Sequence, residues 1–94
     1  MIVEVLYFAE FRDITGRERE TFEISNSHLL EVVQILSKKY GFRIQNLIWD
    51  ENVQKIHNVI SIVINNQPIH EKDASIINLS DGDTIAFLMP VSGG

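Results

Sequence analysis

Residues 25–41 read Ser-Asn-Ser-His-Leu-Leu-Glu-Val-Val-Gln-Ile-Leu-Ser-Lys-Lys-Tyr-Gly, and this stretch decides the fold. Ser25, Asn26 and Ser27 are helix N-cap residue types, because a short side-chain oxygen accepts from the unpaired N–H groups of a first turn. Leu29, Val32, Val33, Leu36 and Tyr40 then recur on one stripe at helical spacing. Lys38 and Lys39 fall in the last turn, where cations suit the negative end of the helix dipole, and Gly41 supplies a C-terminal cap. The spacing predicts a helix over 28–40 whose apolar stripe needs a sheet to cover it.

Strand patterns flank it on both sides. Residues 2–8 (Ile-Val-Glu-Val-Leu-Tyr-Phe) are rich in β-formers, and 18–24 alternate Glu18, Glu20, Phe22 and Ile24 against Arg19, Thr21 and Glu23. Residues 9–16 between them are short enough for a turn or one helical turn, so the two strands pair antiparallel. After the helix, 60–65 form a third strand and Asn66-Gln67 a turn into a short strand at 68–70. Ser80-Asp81-Gly82-Asp83 is a tight turn in which Gly82 takes a positive φ, and 84–89 are the last strand. Residues 42–58 are the least legible: Ile44, Leu47 and Ile48 fit one helical turn, with Trp49 anchoring a surface excursion. The order ββαβββ suits a β-grasp fold, an α+β mixed sheet of about five strands with one main helix on one face. In that fold the first and last strands lie parallel side by side in the centre. The domain spans residues 1–89, and 90–94 form an extended tail.

Composition narrows the function. The chain has 94 residues and no cysteine, with 13 acidic against 8 basic residues and a net charge of −5. One domain of this size builds a single core without staples. Without cysteine there is no thiolate metal site, iron–sulfur cluster or catalytic thiol. The acidic balance argues against nucleic acid as the main partner. The opening Met-Ile-Val-Glu-Val carries an acid where a signal peptide carries a base, and no apolar run approaches the ~18–20 residues of a membrane span, so a cytoplasmic protein with no membrane partner is expected.

Pleating sends alternate residues to opposite faces. Val3, Val5 and Tyr7 share one face with Ile85, Phe87 and Met89 on the last strand. Ile2, Glu4, Leu6 and Phe8 share the other with Thr84, Ala86 and Leu88. Glu4 and Thr84 mark this second face as the one without the helix, yet Leu6, Phe8, Ala86 and Leu88 keep it apolar near the end from which the tail departs. Either loops or residues 42–58 cover this patch, or it is a platform for a partner protein.

The tail, Pro90-Val91-Ser92-Gly93-Gly94, reaches about 16 Å if extended. Two terminal glycines make a strand without side chains, which can thread a narrow channel and deliver the Gly94 carboxylate to a buried site. The alternative is an idle end. A carboxylate resists nucleophilic attack until it is activated, for example as an acyl-adenylate. A sulfur nucleophile can then leave a thiocarboxylate, and in a chain without cysteine that sulfur comes from another protein.

Nearly the whole chain resembles the ubiquitin-like sulfur carriers of the ThiS/MoaD type, and most closely the small subunit of molybdopterin synthase. The resemblance rests on the opening Val5-Leu6-Tyr7-Phe8-Ala9-Glu10-Phe11-Arg12. It rests equally on Leu79-Ser80-Asp81-Gly82-Asp83-Thr84-Ile85-Ala86-Phe87 followed by Pro90-Val91-Ser92-Gly93-Gly94. Met89 departs from the family, which often has a second proline there. The resemblance implies that Gly94 is adenylated with ATP and Mg²⁺ by a ubiquitin-activating-like adenylyltransferase and takes sulfur from a donor protein. The tail (Pro90, Val91, Ser92, Gly93) then threads into the large synthase subunit, where sulfur passes to cyclic pyranopterin monophosphate, building molybdopterin. It further implies a heterotetramer, a small subunit without catalytic residues of its own, no cofactor bound by this chain, and docking through Leu6, Phe8, Ala86 and Leu88, with Arg12 as a charged rim. Alternatives are a carrier for thiazole synthesis or tRNA thiolation, a ubiquitin-like modifier of lysines, and a passive β-grasp module. No metal site is expected, because His28, His57 and His70 lack ligand spacing and Asp81-Gly82-Asp83 offers too few ligands for calcium.

Overall fold

The apolar stripe over 28–40 becomes α2 (Leu29–Tyr40), with Leu29, Val32, Val33 and Leu36 buried. A computed structural model describes residues 1–90. Around α2 run β1 (Ile2–Leu6), α1 (Ala9–Thr15), β2 (Arg19–Glu23), α3 (Phe42–Ile48), β3 (Trp49–Asp50), β4 (Lys55–Ile56), β5 (Ser61–Ile64), β6 (Gln67–Ile69), a 3₁₀ turn at Ala74–Ile76, and β7 (Thr84–Leu88). The cap of α2 differs from expectation. His28 occupies the N-cap position without a side-chain bond. Instead the Glu31 carboxylate accepts from the Ser25 and Asn26 amides at 2.8 and 2.6 Å, and the Ile77 carbonyl takes the Leu29 amide at 2.9 Å. A carbonyl remote in sequence takes up the first helical amide in place of a side-chain cap, while Glu31 of the helix itself braces the segment before it.

Five strands form one sheet in the order β2-β1-β7-β5-β6, and β3-β4 make a separate two-stranded ribbon. β1 and β7 are parallel, with Glu4, Val5 and Leu6 opposite Thr84, Ile85 and Ala86; the other pairs in the sheet are antiparallel. A mixed sheet with its first and last strands adjacent under one long helix is the β-grasp architecture.

The Asp81-Gly82-Asp83 turn splices the two ends of the chain together. Gly82 sits at φ +87°, a conformation that costs a side-chain-bearing residue more. Its amide donates to the Ile2 carbonyl at 2.7 Å, while the Ile2 amide donates to Asp81 Oδ1 at 2.6 Å. The Glu4 amide donates to the Asp83 carbonyl at 2.9 Å, and Asn65 Nδ2 donates to Asp83 Oδ1 at 2.8 Å. Asn65 and Asn66, at φ +52° and +66°, make the tight β5–β6 turn, so both hairpin and terminal strands converge on one acidic turn.

Residues 42–58 are more ordered than the single helical turn expected there. α3 makes two turns and buries Ile44 and Ile48 completely, while Phe42 at its start is exposed. Gly41, at φ +77° and ψ −156°, ends α2 and starts α3, breaking the axis so that both helices reach the same core. Trp49 is half-buried against that core, as expected of an anchor for this segment.

β2 brings one carboxylate inside. Glu20, buried at 8% exposure, accepts from Tyr7 Oη at 2.8 Å and from Tyr40 Oη at 2.7 Å. Lys39 Nζ hydrogen-bonds its second oxygen, and Arg17 stands 3.9 Å from it. Burial by itself raises the Glu20 pKa, but the hydrogen bonds from Lys39, Tyr40 and Tyr7 outweigh it and hold the carboxyl below its ordinary value. Burial and then the bond to Glu20 push the Tyr7 hydroxyl up, so it stays a donor. The cluster ties β1, β2 and the end of α2 together.

Two predictions follow from these contacts. Because the folded pKa of Glu20 is lowered, its stabilisation is complete above the ordinary carboxylate pKa of 4.5 and is lost as pH falls through the lowered value. Glu20→Gln therefore lowers stability by about 1–3 kcal/mol at pH 7, and the deficit shrinks in urea titrations carried out below the carboxylate range. Ile48→Ala, at the buried end of α3, costs about 2–5 kcal/mol by the same titration at neutral pH.

Candidate functional site

The face of the sheet away from α2 carries the apolar patch. Ile2, Glu4 and Leu6 of β1 alternate outward between the buried Val3 and Val5, and β7 does the same with Thr84, Ala86 and Leu88 around Ile85 and Phe87. The parallel register sets Leu6 beside Ala86. The antiparallel register of β5 sets Val63 on the other side of Ala86. A residue flanked on both sides by branched side chains is covered by them, so Ala86 is buried although it lies outside the core cluster.

Phe8 completes the patch from the end of β1. It is extended at φ −125° and ψ 154°, and Ala9 follows at φ +49°. That left-handed residue turns the chain from strand to helix in one step, at a cost of about 1–2 kcal/mol for a non-glycine. The Phe8 carbonyl accepts from the Phe11 amide at 3.0 Å. Phe11 therefore turns inward, with its ring 6.3 Å from that of Phe87, whereas Phe8 stays 46% exposed.

Together Leu6, Phe8, Ala86 and Leu88 line a depression of about 320 Å³ whose rim is closed by Val63, Asn66 and Thr84. All four apolar residues anticipated for a docking platform are thus in one place. Among the described residues, neither loops nor residues 42–58 fill the depression; α3 is on the helix side, where Ile44 and Ile48 join the core. Arg12 stands apart: it lies on α1, is paired with Glu18 at 3.8 Å, and does not line the depression. Val63 was not anticipated, although the alternation in Ser61-Ile62-Val63-Ile64 already separates it from the buried Ile62 and Ile64. Thr84 is the polar marker of the face, now seen at the rim.

Pro90, the last described residue, is exposed, two residues beyond the end of β7. The chain leaves the sheet from the strand end that bears Ala86 and Leu88. Val91, Ser92, Gly93 and Gly94, the rest of the anticipated tail, lie outside the described residues.

A larger cavity, about 490 Å³, opens on the helix side around Trp49. Its walls mix Leu30, Val33 and Trp49 with Gln34, Lys38, Gln45 and Gln54, so it is more polar than the sheet depression, and it shares no residue with it. Among the described residues no three acidic or histidine side chains gather as a metal site, and no helix is long and apolar enough to cross a membrane. His57 instead contacts the Asn46 carbonyl at 3.1 Å and stands 3.7 Å from Asp50.

Comparison with known proteins agrees with this geometry. The chain is 28% identical over its full length to the full-length molybdopterin synthase sulfur carrier subunit of Chlamydomonas reinhardtii. It is 27% identical, again over the whole of both chains, to small archaeal modifier protein 3 of Haloferax volcanii. A chain in the solved complex of subunits 1 and 2 of the molybdopterin-converting factor from Helicobacter pylori superposes with a TM-score of 0.63 at 30% identity, each chain being covered completely. The ThiS family model matches residues 5–94, from β1 through the terminal glycines. With a β-grasp core, an open apolar depression at the strand ends and a match running through Gly94, this chain belongs to the ThiS family of ubiquitin-like sulfur carriers.

Proposed function

We propose that this chain is a sulfur carrier and the small subunit of a molybdopterin synthase, with its Gly94 carboxylate as the reactive group. The observation that carries the reading is the free apolar depression formed by Leu6, Phe8, Ala86 and Leu88, at the strand ends from which the chain runs on to the glycines. Such a surface suits a partner that must grip the domain while it receives the terminus. The Helicobacter pylori complex is of the partner kind this reading requires.

The chemistry follows from what the chain lacks. It has no cysteine to hold sulfur, and among the described residues the depression is lined by Leu6, Phe8, Val63, Asn66, Thr84, Ala86 and Leu88, with no titratable side chain. By the resemblance to the ThiS/MoaD-type carriers, activation falls to a ubiquitin-activating-like adenylyltransferase using ATP and Mg²⁺: a Gly94 carboxylate oxygen attacks the α-phosphate and pyrophosphate leaves. The outer sulfur of a donor-protein persulfide then displaces AMP to form an acyl disulfide, and a second partner thiol attacks the donor's inner sulfur, so that the S–S bond breaks, the terminus leaves as a thiocarboxylate and the two partner sulfurs remain as a disulfide. In the large subunit the thiocarboxylate sulfur attacks a side-chain carbon of cyclic pyranopterin monophosphate as an oxygen substituent leaves, and water then cleaves the acyl–sulfur bond and returns the Gly94 carboxylate. The domain's own contribution is to dock, hold the root of the tail in place and present a backbone thin enough to enter the catalytic pocket. One depression facing two successive partners makes their binding mutually exclusive.

A second reading changes only the acceptor. The relationship to small archaeal modifier protein 3 favours a modifier whose activated terminus passes to lysine amines. The intact mass of the protein after incubation with activating enzyme, ATP and sulfur donor separates the cases. Exchange of one oxygen for one sulfur at the terminus identifies a carrier, and subsequent product formation with the large subunit and the pterin assigns the pathway. Lysine-linked conjugates without that exchange identify a modifier. Failure of any activator to adenylate the chain removes both readings.

Removal of Gly94 abolishes thiocarboxylate formation while leaving thermal unfolding unchanged, since every core residue precedes Pro90 in the sequence. Phe8→Glu places a charge in the depression. It weakens binding to the large subunit about tenfold or more by calorimetry, because central aromatic anchors carry most of an interface's energy. Phe8 is outside the core cluster, so circular dichroism of this variant stays that of the wild type.

A further inference from the structure

We propose that the outer edge of β2 is a self-recognition surface on which a second copy of this chain pairs, β2 against β2, extending the five-stranded sheet of each copy into one continuous sheet. The register of β1 with β2 exposes the backbone needed for it. Met1 and Ile24 exchange both backbone hydrogen bonds, at 2.8 and 3.1 Å, and the Tyr7 amide donates to the Glu18 carbonyl at 2.9 Å. That phase turns the backbone groups of Glu18, Glu20, Phe22 and Ile24 toward β1. The amides and carbonyls of Arg19, Thr21 and Glu23 point away from the sheet, and no hydrogen bond among the described residues takes them up.

The opposite edge is closed to the same use. A two-residue turn at Asn65-Asn66 makes Ile64 and Gln67 the hydrogen-bonded pair, so Pro68, next along β6, faces outward with no N–H to offer. β2 has no proline or bulge, and only its side chains govern what can approach.

Those side chains complement themselves. Arg19, Thr21 and Glu23 are exposed and lie on the open face. An antiparallel two-fold pairing centred on Thr21 sets Arg19 opposite Glu23 of the second copy, and Glu23 opposite its Arg19. Each of the three positions then forms a hydrogen-bonded pair, about six backbone bonds in all. Parallel pairing sets Arg19 beside Arg19 and Glu23 beside Glu23, which like charges oppose. Sliding the antiparallel register by two residues leaves part of the edge unpaired. Arg19 already reaches across the open face toward Glu4, at 3.9 Å, so its side chain needs only to swing outward. The two-fold axis stands perpendicular to the sheet, which puts both apolar depressions on the same side and leaves both free for docking.

The absence of cysteine gives a clean test. Thr21→Cys lies on the proposed axis, where facing Cα atoms stand about 5.5 Å apart and can form a disulfide. Glu23→Cys does not face its own copy, so under mild oxidation the first variant forms a covalent dimer and the second does not. Sedimentation of the unmodified full chain shows a reversible dimer. Arg19→Glu weakens it about tenfold, and combining Arg19→Glu with Glu23→Arg restores it. Equal cross-linking of both cysteine variants, a wild-type chain monomeric up to millimolar concentration, or a dimer indifferent to Arg19→Glu overturns the proposal. Association of Thr21→Cys only with extended peptides, and not with itself, also overturns it by assigning the edge to another occupant.

Discussion

The parallel pairing of β1 with β7 is the constraint from which the rest of this molecule follows. It joins the two ends of the chain, and closing so long a loop is entropically unfavourable until the contacts it permits are made. The Asp81-Gly82-Asp83 turn secures it with reciprocal bonds to Ile2 and a further bond to Glu4. Once β7 is beside β1, Leu6 stands next to Ala86, β5 adds Val63 on the far side, and the open depression exists. The same pairing decides where the chain leaves the sheet. The apolar depression and the point where the chain leaves the sheet are therefore consequences of one register, and a slip of one residue would turn the depression's side chains to the core side.

The two faces of the sheet divide the work. On the helix side α2 and α3 bury Leu29, Leu36, Ile44 and Ile48, and the Glu20 cluster fixes β2 to the end of α2. A buried carboxylate with three hydrogen-bond donors adds little net stability over an apolar substitute, but it sets the orientation of the strand on the helix. On the open side little is buried, and Phe8 is held outward by the left-handed turn at Ala9. The strained residue thus stands next to the open depression, and strained backbone often marks a functional surface.

Much of this was readable from the residues. Periodicity found α2, alternation found β1 and β7 and their faces, and the Asp-Gly-Asp turn with the grouping of Leu6, Phe8, Ala86 and Leu88 followed. The misses have physical causes. The capping residues Ser25–Ser27 lost to Glu31 and to the Ile77 carbonyl, a partner remote in sequence. α3 is only seven residues long and shows two buried positions, too few for a period to emerge. Glu20 reads as one polar residue in an alternating strand, because its partners Lys39 and Tyr40 lie on another element. Val63 belongs to the depression only once β5 is known to flank β7.

Mapping the bound surface of the intact chain most directly tests the claim that the open sheet face and the tail act together. In a titration of isotope-labelled protein with the adenylyltransferase, followed by amide chemical shifts, the account predicts changes at Leu6, Phe8, Val63, Ala86 and Leu88 and onward to Gly94. The amides of α2 and α3 should stay in place. Changes confined to the cleft around Trp49, with the sheet face undisturbed, would contradict it.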